Sequence, residues 1–314
     1  MEFAVRKRLL RPVSLFSVSF LTMVFVVLYS LQGNYKKRMI FPVSQHKRAS
    51  RSVWHNVTAA DFIRNMTRKR FLTCRHFLPY SYPATKSSEF RTEKQCTRRS
   101  PVGHYRTCAI VGNGGILLSS GCGMKIDSNE FVIRVAHSPI ESFEKDVGQK
   151  VNLTVVNDVF LGKLQKKGID PNWLRSRNNS IISYVLNHNN NLKTLNDVVR
   201  KSHLNITITN SKYPTRALVR KFWNDTRKTF LEVPTAGLIT YTLASTFCDV
   251  ITLYGFYPFG QDWNNRTLLY HYYQSGLAKI FFDKNKLHDY PSEHKILKSL
   301  HNLKALKMVT DVCT

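Results

Sequence analysis

Five short apolar runs, spaced along the C-terminal two-thirds of the chain, restrict it to folds built around a buried parallel sheet. They are Cys108–Val111, FVIRVA at Phe131–Ala136, NLTVVN at Asn152–Asn157, SIISYVL at Ser180–Leu186 and DVITLYGF at Asp249–Phe256. Runs this short, apolar with little alternation, suit strands covered on both faces. TAGLITYTLASTFC (Thr235–Cys248) reads as a helix that runs directly into the last of them. Strands alternating with helices predict an α/β fold, a mainly parallel sheet flanked by helices. In such folds ligands bind beyond the carboxyl ends of the strands, where the first run meets the turn Gly112–Gly115. That turn lacks the GxGxxG spacing of a dinucleotide site, and alone it says little.

The N-terminal third is of another kind. No charged residue occurs from Pro12 to Tyr35, and Val13–Leu31 is almost wholly apolar. As a helix this run spans roughly 28 Å, about the hydrocarbon thickness of a bilayer. It is long for a cleaved signal peptide and ends without a small-x-small site, so a retained anchor is expected. The layout that follows is a cytosolic tail at 1–12, a transmembrane signal anchor at 13–32, a luminal stem at 33–105 and a catalytic domain at 106–314. A short helix is expected within the stem, around Ala59–Phe71. Flanking Lys and Arg residues favour a cytosolic N-terminus only slightly. Sequons begin at Asn56, Asn65, Asn152, Asn178, Asn205, Asn224 and Asn265, all on one side of the anchor. They argue that this side faces the secretory lumen.

Six cysteines, Cys74, Cys96, Cys108, Cys122, Cys248 and Cys313, are widely separated and show no zinc spacing. They fit disulfides in an oxidising compartment, with fifteen possible connectivities. The chain carries 47 Lys and Arg against 20 Asp and Glu. Of these, 21 basic and 4 acidic residues precede Cys108, so most of the excess lies outside the patterned region. A basic surface attracts nucleic acid, anionic membrane or acidic substrates. No RRM, KH or zinc-finger signature is present, and the sequons place the basic region in the lumen, so nucleic acid is not an expected partner.

Four blocks occur in order: Cys108–Asn157, Pro234–Gly260, HYYQ at His271–Gln274 and HDYPSE at His288–Glu293. Together they resemble the large, small, third and very small sialylmotifs of animal sialyltransferases, over roughly Arg106 to the C-terminus. CAIVGNGGIL, YGFYPF, YHYY and the late cysteine look most like the α2,8 branch. The resemblance implies a single Rossmann-like domain of the sialyltransferase, GT-A-like variant, and bridges Cys108–Cys248 and Cys122–Cys313, leaving Cys74 with Cys96. It implies donor contacts from Asn113, Asn157, Thr235, Ala236, Gly237, Tyr257, Tyr270 and His271. His288 matches the family's general base and Glu293 its very-small-motif acid.

These residue types suit the chemistry. Histidine titrates near working pH and can take a hydroxyl proton. The N-terminus of the helix opening at Thr235–Gly237 suits a phosphate or carboxylate. No DxD occurs in the chain, which fits a metal-independent reaction with CMP-sialic acid as donor and no cofactor. Three positions depart from the family pattern. Ala136 stands where asparagine is usual, Ala236 where a hydroxyl residue is usual, and Gln274 where an acid is usual. The turn at Asn157 also reads NDV where the α2,8 branch has NPS. The expectation is therefore an inverting Golgi enzyme, single-pass type II, acting on a sialylated glycoprotein or glycolipid, as a homo- or hetero-oligomer with other transferases. The alternative is a weak or inactive binding member of the same fold.

Overall fold

The computed structural model describes residues 54–81, 99–185, 192–211, 213–227, 230–284 and 287–313. The expected anchor at Val13–Leu31 lies outside them, and no described helix is long and apolar enough to cross a membrane.

The strands are β1 (Leu78–Pro79), β2 (Tyr105–Val111), β3 (Phe131–Val135), β4 (Leu153–Val155), β5 (Ser180–Tyr184), β6 (Ile206–Asn210), β7 (Cys248–Tyr254) and β8 (Lys307–Val309). They form one sheet in the order β1-β6-β5-β4-β3-β2-β7-β8. Every pair is parallel except β1–β6. The antiparallel strand is a two-residue edge containing Pro79, a place where a missing N–H is tolerated. All five expected strands are present. β6, β1 and β8 were not anticipated, and Leu186, the expected end of the fourth run, lies outside the described residues.

The chain leaves β2 for β3, β4, β5 and β6 on one side and returns to β7 and β8 on the other. The crevice at this reversal opens above the carboxyl ends of β2 and β7, the place such sheets hold ligands. Glycine is required there. A Cβ on Gly114 would lie 2.7 Å from the Gly255 carbonyl oxygen, and Gly255 itself has φ of 75°. Two disulfides hold the frame: Cys108–Cys248 between β2 and β7, and Cys122–Cys313 between the first crossover and the chain end. Both pairings are those the family resemblance implies. Cys74 is also disulfide-bonded, and its expected partner Cys96 lies outside the described residues.

The expected stem contributes to this domain. Helix α1 (Val57–Arg68) is N-capped by Asn56, whose side chain accepts from the Ala59 N–H. Its Arg64 reaches the carboxylate and carbonyl of Asp249 on β7, and Arg68 donates to the Thr246 carbonyl at 2.6 Å. The folded unit therefore begins well before Arg106. Helix α1 buries only a short stripe, Ala59, Ile63 and Thr67, and its arginines add polar ties to β7 and the turn before it.

The sequons differ in their surroundings. Asn56, Asn65, Asn178, Asn205 and Asn265 are exposed. Asn152 is half-buried and its Oδ1 accepts from the Val132 N–H. Asn224 uses its amide both ways with Leu231, donating from Nδ2 to the carbonyl and accepting from the N–H. A glycan on that nitrogen would have to displace the bond.

Candidate active site

Above the crevice lies a cavity of about 830 Å³. The residues expected at the site, Asn113, Asn157, Thr235, Ala236, Gly237, Tyr257, Tyr270, His271, His288 and Glu293, all line it. Three helices aim their N-termini at it: α5 (Asp158–Lys167), α9 (Ala236–Ala244) and α11 (Tyr290–Asn302), in a numbering that runs through α2 (Thr73–His76), α3 (Gly123–Asp127), α4 (Glu144–Val147), α6 (Pro171–Arg175), α7 (Leu192–Ser202), α8 (Thr215–Arg227) and α10 (Ala278–Lys284). Their first turns present N–H groups without intrahelical partners and the positive ends of helix dipoles. Lys163, one turn into α5, adds a full charge to the lining. The cavity is built for anions.

Each cap is fixed locally. Asn157 caps α5 through its Oδ1, which accepts from Phe160 N–H at 2.9 Å, so its Nδ2 is the group left to meet a ligand. Thr235 caps α9 by accepting from Leu238 N–H at 3.1 Å. Gly237 is dictated by contact, since a Cβ there would come within 2.8 Å of the Phe256 ring. Asn113 sits in the turn after β2 with Oδ1 buried and unbonded, a polar atom awaiting a partner.

Glu293 joins two of these helix ends. It is buried on α11, and it accepts from the Thr235 N–H at 2.7 Å and pairs with the Thr235 hydroxyl at 2.6 Å. Burial pushes its carboxyl up to about 7, although both Thr235 bonds pull the other way. The family's acidic residue thus reaches the cavity mainly by holding Thr235.

His288 lies just before α11, half-buried, with Nδ1 at 2.8 Å from the Val233 carbonyl. A carbonyl only accepts, so Nδ1 carries the proton and the neutral ring keeps its lone pair on Nε2. Burial lowers this histidine below its ordinary value of 6.5, and Arg216 adds to the effect against the Val233 bond. Burial thus favours the neutral ring, the form a proton acceptor must have.

His271 pairs across an isolated bridge with Gly114 and places Nδ1 at 2.8 Å from Gln274 Oε1. Burial, with help from Lys163, lowers it to about 4. Tyr270 is raised by burial and by its neighbour Tyr290, whose hydroxyl is 3.1 Å away. Tyr257 packs edge-on against Phe259 and Trp263 and donates to the Gln261 carbonyl.

The end of β3 departs from simple strand alternation. Alternation along β3 would turn Ala136 and His137 to opposite faces, yet both line the cavity. The strand stops at Val135, and Ala136 takes a left-handed conformation with φ of 60°. That turn breaks the alternation. His137 is held by stacking on Phe160 and Trp173, while Arg177 anchors the next residue through the Ser138 carbonyl at 2.7 Å. Lys163, Tyr273, Tyr290 and His294 also line the cavity without having been singled out. The spacing Asn157–Lys163 on a basic helix was a usable signal for the first. The others needed the fold.

Residues 83–305 match the family model for glycosyltransferase family 29 (sialyltransferase). A curated alpha-N-acetylneuraminide alpha-2,8-sialyltransferase from Bos taurus is 31% identical over 222 residues, covering 66% of this chain. The match spans 60% of that relative's length. Among solved structures, one described as a mammalian sialyltransferase is 18% identical with a TM-score of 0.46, covering 88% of this chain and 84% of the other. A second, a mammalian sialyltransferase in complex with Gal-beta-1-3GalNAc-ortho-nitrophenol, is 19% identical with a TM-score of 0.47, covering 84% and 93%. The family match runs over most of the chain and takes in every cavity residue from Asn113 to Glu293, so this chain belongs to glycosyltransferase family 29, the sialyltransferases.

Proposed function

We propose that this chain transfers sialic acid from CMP-sialic acid to a sialylated glycan, forming an α2,8 linkage with inversion. The observation that carries the reading is His288, its Nδ1 held by Val233, sharing one anion-receptive cavity with Asn113, Asn157 and the α9 N-terminus. The acceptor hydroxyl oxygen forms the new bond to the anomeric carbon as the bond from that carbon to the phosphate oxygen breaks. The hydroxyl proton passes to His288 Nε2. CMP leaves with the electron pair, and the extra negative charge on its phosphate meets helix N-termini, Asn113 and Lys163. The α2,8 linkage is supported by the bovine relative's name and by the motif wording.

The same reading places the domain in the Golgi lumen behind an N-terminal anchor, supported by the apolar run Val13–Leu31, the sequons and the disulfides. It has no step that calls for a metal. The test is transfer from CMP-sialic acid to sialylated acceptors by the full chain with EDTA present. Transfer supports both points, and transfer that EDTA abolishes would remove metal independence.

One observation favours a second reading, a family member with little activity. Ala136 faces the cavity with no side chain able to hold a phosphate, and Ala236 lacks the usual hydroxyl. Each lost bond to a charged group is worth roughly 1.5–3 kcal/mol. A folded chain that neither transfers sialic acid nor releases CMP, beside an active family control, would establish that reading.

A further inference from the structure

Two cations serve the cavity, and they act at different ends of it. Lys163 lines it, and its charge acts on His271, the end at which the phosphate would leave. Arg216, in the first turn of α8, acts on His288. Arg216 stands at the rim, tied to Asp158, whose chain neighbours Asn157 and Val159 both line the cavity. The tie uses one prong of the guanidinium. Nη2 donates to Asp158 Oδ2 at 3.1 Å, and the other carboxylate oxygen accepts from the Tyr184 hydroxyl. Arg216 Nε is buried and has no hydrogen-bond partner among the described residues, while the side chain as a whole is still 28% exposed. A guanidinium carries five donors in a planar fork that matches a carboxylate. A buried N–H without a partner calls for an explanation, and beside an anchored, part-exposed charge an incoming anion supplies one.

We propose that Arg216 receives the carboxylate of the acceptor's terminal sialic acid while His288 takes the proton from the 8-hydroxyl of that same sugar. This rests on the sialyl-transfer reading above. In an α2,8 transfer the attacking hydroxyl and a carboxylate belong to one sugar residue. A cation beside the base therefore meets the carboxylate as the hydroxyl meets Nε2. A neutral terminal sugar offers His288 a hydroxyl and leaves Arg216 without its second anion, so the pair selects the acceptor as well as activating it. The NDV turn after β4 gains a role in this, since its aspartate is what holds the fork at the rim.

The test is transfer by the full chain to one sialylated trisaccharide, offered with its terminal carboxylate free or converted to the neutral carboxamide. The parent should prefer the carboxylate in kcat/KM by about tenfold or more, the worth of one hydrogen bond to a charged group. Arg216→Gln should bring that ratio close to one by raising the KM for the carboxylate acceptor, with the KM for CMP-sialic acid unmoved. Both acceptors use His288, so any effect of the variant on the base cancels in the ratio. Arg216→Lys keeps the charge without the planar fork, and its ratio should fall between the other two. A parent with no preference, or a glutamine variant that keeps the parent's ratio, would overturn the proposal and leave sialyl transfer intact. Should the glutamine variant not fold, a lysine variant with the parent's full ratio would overturn it instead. Transfer to neither acceptor by the parent would overturn the sialyl-transfer reading and this proposal with it.

Discussion

The two walls of the cavity are built to different standards. The wall of α9 and α11 is cross-tied: Glu293 grips Thr235 at both backbone and hydroxyl, Thr235 caps its own helix, and Val233 orients His288. The wall at the ends of β3 and β4 has a cap at Asn157 but only a methyl group at Ala136. In the proposed reaction, proton removal would fall to the first wall and part of the phosphate grip to the second. On that reading, the departures from the family pattern fall on donor holding and spare the proposed base.

The largest effect expected from that division is at His288. His288→Ala removes the proton acceptor, and kcat should fall by about 10²–10⁴-fold, the range that general bases contribute. CMP binding, measured by calorimetry, should change little, since the other wall and the helix ends remain. In the parent, the acid limb of kcat/KM should lie below pH 6.5, because burial lowers the base and protonation from that side removes its lone pair. Unchanged transfer by the variant would break the comparison at its stronger end.

Glu293 tests whether the cross-tie carries a cost. Its proton is held to about pH 7 in the folded chain against 4.5 in an ordinary glutamate. Between those values the folded state keeps a proton that the unfolded chain has lost. The stability this supplies is whole below pH 4.5 and is lost as pH rises through 7, a swing of roughly 3 kcal/mol. Glu293→Gln resembles the protonated form, with an oxygen for the Thr235 N–H and an amide for its hydroxyl. Denaturant unfolding at pH 5 and pH 8 should show that slope in the parent and lose most of it in the variant.

On the weaker wall, Ala136→Asn should repair rather than damage. Ala136 sits at φ of 60°, a conformation that costs alanine about 1 kcal/mol and that asparagine tolerates far better. The added amide also enters the cavity. The KM for CMP-sialic acid should drop about tenfold, the worth of one hydrogen bond to a charged group, with thermal stability unchanged or higher. The left-handed turn supplies a second, conformational reason for asparagine to be usual at this position in the family.

Much of this architecture was legible in the sequence, for identifiable reasons. The five strands announced themselves because a doubly covered parallel sheet demands apolar runs. Thr235–Gly237 announced a helix start because only certain side chains cap. β6 escaped although ITITN alternates, because only Ile206 and Ile208 mark it as apolar and polar residues surround them. Helix α1 was legible as a helix, but its short apolar stripe, Ala59 and Ile63, does not tell which surface it docks on, so its place in this domain escaped. Strand alternation alone would turn His137 away from the cavity, and only the left-handed Ala136 returns it there. Patterning reports what is buried against a sheet, whereas a single backbone angle at a strand end stays hidden from it.

Between the two walls stands His271, where the smallest effect is expected. Its Nδ1 faces an amide oxygen of Gln274, and burial keeps the ring neutral down to about pH 4. The other groups around it are Lys163, which opposes a positive charge, and the phenols of Tyr270 and Tyr273, which stay neutral because burial raises them. The Gln274 bond favours the imidazolium, but burial outweighs it, so in the proposed reaction the parent would meet the leaving phosphate with an uncharged ring. Gln274→Glu, the acid usual in the family, would place a carboxylate against Nδ1 and raise His271 toward the ordinary histidine range. Below that raised value the ring is cationic and stabilises the departing phosphate; above it the gain disappears. The ratio of kcat for variant over parent should therefore rise severalfold from pH 8 to pH 6. The ratio cancels the titration of His288, which both proteins share. A ratio that stays flat would mean that the phosphate does not depend on His271 for charge, and the helix ends and Lys163 would then carry that role without it.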